Sequence, residues 1–211
     1  RNVRAGQVVL DVGANHGYYT VLLSDLVGPA GRVHAIEPNP RLVELLGLNV
    51  SVNGFWHVAE VRAAAVGASD GGTLPMVVPL RDPKNGYVVQ PGQAVPQGLD
   101  PAQFARHEVP IVSLDGVVPG RADFVKIDVE GAEEPVWHGM QGLIARSPGI
   151  GIVMEFNPAR CRDPRGTLAE MAARFPLREV TFDGIALPCT PAQVLERQED
   201  TILYLSEADP R

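Results

Sequence analysis

The segment LDVGANHGYYT, residues 10–20, decides the fold of this chain. The apolar run at residues 8–10 predicts a buried strand. A turn that contains Gly13 and Gly17 follows, and then apolar residues at helical spacing. A strand, a glycine turn and a helix in this order are typical of an open α/β sheet, in which ligands bind at the carboxyl ends of the strands.

The glycine turn also indicates which kind of nucleotide the chain binds. A dinucleotide motif needs three glycines, G-x-G-x-x-G, but Asn15 and Tyr18 occupy the second and third positions. A phosphate-binding loop needs G-K-[ST], which does not occur in the sequence. The turn therefore suits a nucleoside without a phosphate chain, and S-adenosylmethionine is the commonest such ligand.

Composition predicts an ordinary globular protein with one domain over residues 1–211. The chain is 45% hydrophobic and 20% charged, and its net charge of −7 argues against a nucleic-acid partner. The two cysteines, Cys161 and Cys189, form no C-x-x-C pair, so we expect neither a disulfide framework nor a zinc site, and a cytoplasmic location. No apolar run approaches the roughly 20 residues of a membrane span. Because the first strand follows so soon after residue 1, we expect the domain to be part of a longer chain.

Alternating strand and helix patterns predict a mostly parallel sheet with helices on both faces. The strands are expected near residues 8–10, 32–37, 58–66, 73–79, 109–112, 124–127, 150–156, 177–182 and 201–206. The main helices are expected after Gly17, from Pro40 to Asn53, and over residues 132–145 and 167–174. Asp183 and Gly184, after the strand at residues 177–182, are a hairpin turn signal, and the last strand is expected to pair with its predecessor as an antiparallel hairpin.

Residues 81–108 form the least regular part of the sequence and predict a long loop insertion. Loops of this length in a compact domain usually have a function or are mobile. We interpret this loop as a lid that binds the acceptor, with Asn85 and Tyr87 as contacts. A surface excursion without a role in the site is the alternative.

Carboxylates follow several of the predicted strands: Asp11, Glu37, Asp128 and Glu155, with Glu130 just beyond Asp128. Because clustered carboxylates repel one another, a positively charged ligand would stabilise them. S-adenosylmethionine carries an ammonium and a sulfonium. We therefore expect Asp11 to orient the glycine turn and the methionine end of the ligand, and Glu37 to accept hydrogen bonds from the ribose hydroxyls.

The remaining acids, Asp128, Glu130 and Glu155, are the predicted catalytic residues. One of them can act as the general base for an acceptor hydroxyl, or together they can hold a divalent cation, Mg or Mn, that lowers the pKa of that hydroxyl. Glu130 could instead cap the following helix. His16, in the glycine turn, is a further candidate base.

Five segments, LDVGANHGYYT, RVHAIEPNP, AAAVG, FVKIDVEGAE and IVMEF, resemble in order and spacing the FkbM family of S-adenosylmethionine-dependent methyltransferases. The resemblance covers roughly residues 3–156. It implies a Rossmann-like class I methyltransferase fold, with a seven-stranded, mostly parallel sheet that ends in an antiparallel hairpin. It also implies O-methylation of a hydroxyl on a sugar, glycan or polyketide-type small molecule. Two residues depart from the family pattern: Ala63, where a polar residue is common, and His138, where Lys or Arg is usual.

The resemblance implies that the glycine turn and Glu37 bind the cofactor and that residues 128–130 border the reacting centre. The full predicted cofactor-binding set is Asp11, Gly13, Ala14, Asn15, Gly17, Tyr19, Glu37, Pro38, Ala65 and Asp128. Two rival functions stay open. A domain of a larger protein could bind S-adenosylmethionine without catalysis, and an NAD-dependent oxidoreductase shares the fold but requires the missing second glycine.

Overall fold

The computed structural model describes residues 2–93, 97–197 and 199–208. The strands in these ranges are β1 (Val8–Val12), β2 (Arg32–Glu37), β3 (Ala59–Ala63), β4 (Ala65–Val66), β5 (Thr73–Pro79), β6 (Tyr87–Val88), β7 (Phe104–Val112), β8 (Phe124–Ile127), β9 (Gly151–Phe156), β10 (Leu177–Val180), β11 (Ala186–Pro188) and β12 (Thr201–Leu205). The α-helices are α1 (Tyr18–Val27), α2 (Pro40–Val52), α3 (Leu114–Val117), α4 (Glu133–His138), α5 (Gln141–Arg146), α6 (Pro164–Arg174) and α7 (Pro191–Leu195). Two 3-10 helices span Pro83–Asn85 and Pro158–Arg160.

Among the residues that the structure describes, the main sheet has eight strands in the order β11-β10-β12-β9-β8-β1-β2-β3. β1, β2, β3, β8 and β9 are parallel, whereas β12 lies antiparallel between β9 and β10. The predicted count of seven strands is wrong because the turn at Asp183 and Gly184 returns the chain, so that Ala186 pairs with Val180. This pairing adds β11, a three-residue edge strand, to the antiparallel end of the sheet.

A second sheet, which has four strands within the described ranges in the order β4-β7-β5-β6, lies beside the first. The predicted strand at residues 58–66 divides into β3 and β4, which belong to different sheets. The predicted strand at residues 109–112 is longer, because β7 pairs with β5 from residue 104 onwards. The irregular part of residues 81–108 is therefore shorter than expected, and its residues 94–96 lie outside the described residues.

The single helix predicted over residues 132–145 is two helices, α4 and α5. A Cβ on Gly139 would lie 2.0 Å from the carbonyl oxygen of Gly67, so the chain at this point is pressed against another backbone. The carbonyl of Gly139 accepts a hydrogen bond from the backbone of Asp115 at 3.0 Å. The Asp115 carboxylate then accepts from the first amides of α5, those of Gly142 and Leu143. These contacts end one helix and begin the next.

Apolar side chains fill both faces of the main sheet, as the alternation of a strand requires. One cluster joins β1, β8 and β9 to α3–α7, with Trp137 and Phe156 among its largest members. The other joins β1 and β2 to α1 and α2 through residues such as Leu23 and Leu46. The predicted helices on both faces are confirmed, and the parallel strands end together at one edge of the sheet. Within the described ranges, none of the helices has the length and apolarity that crossing a membrane requires.

Candidate active site

The glycine turn is held between two neighbouring strands of the sheet. The amides of Gly13 and Ala14 both donate to the carbonyl of Ile36 at the end of β2, each at 3.0 Å. On the other side, a Cβ on Gly13 would lie 1.7 Å from the carbonyl oxygen of Asp128. Gly13 also has a φ of +74°, which favours glycine. Residue 13 must therefore be a glycine, because the backbone of Asp128, just after β8, occupies the space that a Cβ would need.

The second glycine of the turn is required by helix packing. Gly17 has a φ of +97°, and a Cβ there would lie 2.7 Å from Cδ1 of Leu46 on α2. Between the two glycines, Ala14 is buried in the apolar cluster beneath α1 and α2. The spacing of Gly13 and Gly17 thus sets the path of the chain from β1 into α1.

Glu37, at the end of β2, is oriented by two backbone amides. One carboxylate oxygen accepts from the amide of Asn15 at 2.9 Å, and the other accepts from the amide of Asn39 at 2.9 Å. The residue is only 5% exposed. Burial raises the pKa of Glu37, and the two amide hydrogen bonds oppose that rise. Each carboxylate oxygen keeps a further lone pair for a ligand.

A pocket, here called the glycine-turn pocket, lies above the ends of β1, β2 and β8. Six of the predicted cofactor-binding residues line it: Gly13, Asn15, Glu37, Pro38, Ala65 and Asp128. Glu130 lines it as well, together with apolar side chains that include Ile36, Ala64, Val66 and Met76. The other four predicted residues, Asp11, Ala14, Gly17 and Tyr19, lie outside its lining, so a direct contact from them to a cofactor stays a prediction.

Residues 83–90, here called the strap, close one side of the glycine-turn pocket. Tyr87 and Val88 are among the strap residues in the lining. The strap is tied to the sheet by Asn39, whose Nδ2 donates to the carbonyl of Pro83 at 2.9 Å. The Asn85 side chain instead donates to Asp82 at 2.8 Å and does not line the pocket. The predicted loop therefore covers the pocket beside Glu37, and its contact with an acceptor stays a prediction.

Lys126, which sequence reasoning did not single out, connects the glycine turn with the acids. Its Nζ donates to the carbonyl of Gly13 at 2.9 Å and lies 3.3 Å from Oδ2 of Asp128. It lies 3.5 Å from Oδ1 of Asp11, an ionic contact that is too long for a strong hydrogen bond. Nζ also lies 5.4 Å from the centre of the Tyr19 ring. In the sequence, this residue could have been recognised as a lysine within the otherwise apolar strand segment FVKI.

Asp11 faces the helix side of the sheet. It is fully buried, and its Oδ2 accepts from the hydroxyl of Thr20 on α1 at 2.6 Å. Burial raises the pKa of Asp11, and the Lys126 ammonium opposes that rise. The side chain therefore orients α1 and the glycine turn from beneath the pocket.

The acids beyond β8 and β9 form a cluster with Asp200, a residue that sequence reasoning also missed. Asp200 precedes β12 and accepts from Nδ2 of Asn157 at 2.9 Å. Arg160 bridges the cluster, with Nη1 at 2.7 Å from Glu130 and 3.4 Å from Asp200. Burial and the negative charges of Asp128, Asp200 and Glu130 raise the pKa of Glu155 to about 7. A carboxyl with this pKa suits general base catalysis near neutral pH.

Two other predicted roles are not met by the geometry. Glu130 does not cap the next helix, since α4 begins at Glu133 and has no side-chain cap. Across residues 2–93, 97–197 and 199–208, no group of three or more His, Cys, Asp or Glu side chains is arranged to hold a metal ion. Arg160 and Lys126 instead contact the carboxylates of Glu130 and Asp128. The predicted ligand set for Mg or Mn is therefore not assembled.

A second cavity of about 300 Å³, here called the β9 cavity, also has Asp128 in its lining. Glu155, Lys126 and Tyr19 line it. Its other walls are mostly apolar and include Val3, Leu22, Leu26, Val153 and Ile202. His16 lines neither space, because it lies on the exposed side of the turn. Asp128 thus links the glycine-turn pocket to the space that Glu155 faces.

We expect Glu155→Gln to stabilise the protein above pH 7. The pKa of Glu155 rises from 4.5 to about 7, so between these values the folded chain holds a proton that the unfolded chain has lost. The contribution of Glu155 to stability therefore falls as the pH rises through this range. Glutamine does not titrate, so the substitution removes this pH-dependent loss of stability. Chemical denaturation at pH 5 and pH 8 measures the effect. Glu44→Gln, at an exposed position on α2, is the control. A gain of the same size at both pH values would contradict the expectation.

Comparisons with known proteins agree with this geometry. The FkbM methyltransferase of Methylobacillus flagellatus KT superposes with a TM-score of 0.57 at 15% identity, over 94% of this chain and 43% of that one. An O-methyltransferase from Bacillus cereus in complex with SAH superposes with a TM-score of 0.52 at 15% identity, over 95% of this chain and 74% of that one. These likenesses confirm the class I methyltransferase-like α/β fold.

Sequence relatives match shorter segments. A protein-L-isoaspartate O-methyltransferase from Aeropyrum pernix is 48% identical over 56 residues, which are 26% of this chain and 22% of that protein. The chain spans 22% to 35% of the length of the curated relatives that it matches. The family model for the methyltransferase FkbM domain matches residues 11–175. The predicted resemblance to S-adenosylmethionine-dependent methyltransferases is therefore confirmed, and the chain belongs to the FkbM methyltransferase family.

Proposed function

We propose that this chain transfers the methyl group of S-adenosylmethionine to a hydroxyl of a sugar, glycan or polyketide-type small molecule. The observation that carries the proposal is the fixed carboxylate of Glu37 in the glycine-turn pocket. Two backbone amides hold its oxygens, and their remaining lone pairs suit the two hydroxyls of a ribose. Membership of the FkbM family supports the same donor.

The lining of the glycine-turn pocket fits the parts of this donor. Beside Glu37, the small side chains of Ala64 and Ala65 leave room for an adenine ring. Asp128 and Glu130 also line the pocket and are suited to a ligand that carries positive charge. When bound, S-adenosylmethionine supplies a methyl carbon on a positively charged sulfur, which is a good leaving group. These residues would therefore bind and orient the donor.

In the proposed reaction, Glu155 accepts the proton of the acceptor hydroxyl. The hydroxyl oxygen attacks the methyl carbon from the side opposite the sulfur, so that the C–O bond forms as the C–S bond breaks. The electron pair of the broken bond stays on the sulfur, which leaves as S-adenosylhomocysteine. Because this leaving group is good, the protein's main contributions are alignment and removal of the proton.

We expect Glu155→Gln to lower kcat by about 100-fold or more, the usual contribution of a positioned general base. Affinity for S-adenosylhomocysteine should stay within threefold of wild type, because Glu155 lies outside the glycine-turn pocket. In the wild type, kcat should rise with pH as Glu155 loses its proton near pH 7. Turnover of Glu155→Gln at the wild-type rate would contradict the base role. Glu44→Gln is the control variant, because it removes one carboxylate charge at an exposed position away from the site.

Two experiments test the function as a whole. Titration with S-adenosylmethionine and with NADH separates the methyltransferase from the oxidoreductase, and binding of NADH alone would overturn the proposal. Transfer of label from S-adenosylmethionine to a panel of glycans and hydroxylated small molecules then tests catalysis. Donor binding without transfer to any acceptor would favour the non-catalytic binding domain.

A further inference from the structure

We infer that Lys126 is a positioning residue that locks the glycine turn and Asp128 into one unit, so that the donor loop and the neighbouring acid keep a fixed relation. The inference rests on the proposed function, since it concerns how that site is assembled. It assigns to Lys126 a role beyond that of a counter-ion for a buried acid.

Lys126 occupies an unusual place for a lysine. β8 lies between β1 and β9, and Lys126 stands in register with Asp11 on one side and Val153 on the other. Its side chain is only 13% exposed. An ammonium in such a place is costly unless charged or polar partners compensate for the lost water. The partners that Lys126 contacts therefore indicate its role.

Two of these partners belong to the rim of the site. The ammonium donates to the carbonyl of Gly13 at 2.9 Å and lies 3.3 Å from the carboxylate of Asp128. Gly13 also packs directly against the carbonyl of Asp128, since a Cβ added at residue 13 would lie only 1.7 Å from that carbonyl oxygen. One cation thus spans the same two segments that touch through their backbones. Hydrogen bonds from a charged donor are short and strong, so this link should stiffen the turn.

A simpler explanation is that Lys126 only neutralises Asp11. Their separation is 3.5 Å, and Asp11 is fully buried, so a counter-ion is required there. That explanation accounts for stability, but it gives the contacts with Gly13 and Asp128 no part in donor binding. The two explanations differ when Lys126 is replaced in a protein that already lacks the charge of Asp11. A counter-ion is then no longer needed and donor affinity should not change, whereas a positioning residue should still be required.

The test is a cycle of four proteins: the wild type, Lys126→Met, Asp11→Asn and the double variant. S-adenosylhomocysteine binding is measured by calorimetry, and stability by chemical denaturation. Lys126→Met should be destabilised, because it leaves Asp11 buried without its cation, and Asp11→Asn should restore much of that loss. Donor affinity should fall about tenfold on Lys126→Met, the loss expected for one charge-assisted hydrogen bond. The same tenfold loss should occur in the Asp11→Asn background.

Disappearance of the affinity loss in the Asp11→Asn background would overturn the inference and leave Lys126 as a counter-ion. If the double variant does not fold, Lys126→Gln in the Asp11→Asn background replaces it, because the glutamine amide is polar but its side chain is one atom shorter. A tenfold loss of affinity in this variant, relative to Asp11→Asn alone, supports the positioning role, and the affinity of Asp11→Asn alone overturns it. A wild-type protein that binds no S-adenosylhomocysteine would instead refute the proposed function, so the two failures are distinguishable.

Discussion

Gly13→Ala is expected to lower the free energy of unfolding by about 3 kcal/mol or more and to abolish donor binding. The new Cβ would lie 1.7 Å from the carbonyl oxygen of Asp128, and neither group is the flexible end of a side chain. The backbone of the turn or of the β8 exit must therefore move. Movement of the turn disturbs the amides that hold it to Ile36 and the amide of Asn15 that orients Glu37, whereas movement of the β8 exit displaces Asp128 in the pocket lining. Chemical denaturation and calorimetry with S-adenosylhomocysteine measure the two effects.

Gly54→Ala is the matched control for this substitution. Gly54 has a φ of +78°, close to the +74° of Gly13, but a Cβ there has no heavy atom within 4 Å. It should cost only the ~1 kcal/mol of an unfavourable φ and leave donor affinity unchanged. If the two variants behaved alike, the backbone contact with Asp128 would not be what requires a glycine at residue 13.

Glu37→Gln is expected to weaken S-adenosylhomocysteine binding by about 100-fold, because two charge-assisted hydrogen bonds to the ribose each contribute about 1.5 kcal/mol. It should also lower stability by about 1–3 kcal/mol. Both carboxylate oxygens accept from backbone amides, and the glutamine NH₂ can accept from neither. One amide, of Asn15 or Asn39, therefore loses its partner. Calorimetry and chemical denaturation measure the two losses.

Glu44→Gln, at an exposed position on α2, is the control, because it removes the same single charge. It should change neither donor affinity nor stability by a measurable amount. Glu37→Gln with wild-type affinity would show that the donor does not use this carboxylate, and the proposed function would lose its main support.

Sequence patterns predicted the central part of the site because the determinants there are local. The glycine spacing of the turn, the acid at the end of β2 and Asn39 before Pro40 each act within a few residues. Asn39 indeed caps α2 by accepting from the amide of Arg41 at 3.1 Å. The parallel strands follow from the alternation of apolar segments with helices.

Contacts between segments that are distant in the sequence account for most of the places where the structure differs from the sequence predictions. Gly139 interrupts the predicted helix because the backbone of Gly67 lies against it, and no pattern near residue 139 reports that contact. β1 continues to Val12 instead of ending at Leu10, so the pleat directs Asp11 towards α1 instead of the pocket. Asp200 joins the acids only because β12 pairs with β9. Such placements depend on strand register, which composition and spacing do not specify.

The hydrogen bond between Lys126 and Gly13 has a consequence for folding, because it joins residues 113 positions apart. The turn can contact Lys126 and the backbone of Asp128 only after β8 has joined the sheet next to β1. Contacts of such long separation form late, since the closure of a long loop costs entropy. A nascent chain that ends before β8 therefore lacks a complete nucleoside site, although β1, α1 and β2 have already been synthesised. A ligand that binds only the complete site should consequently raise the free energy of unfolding of the whole sheet.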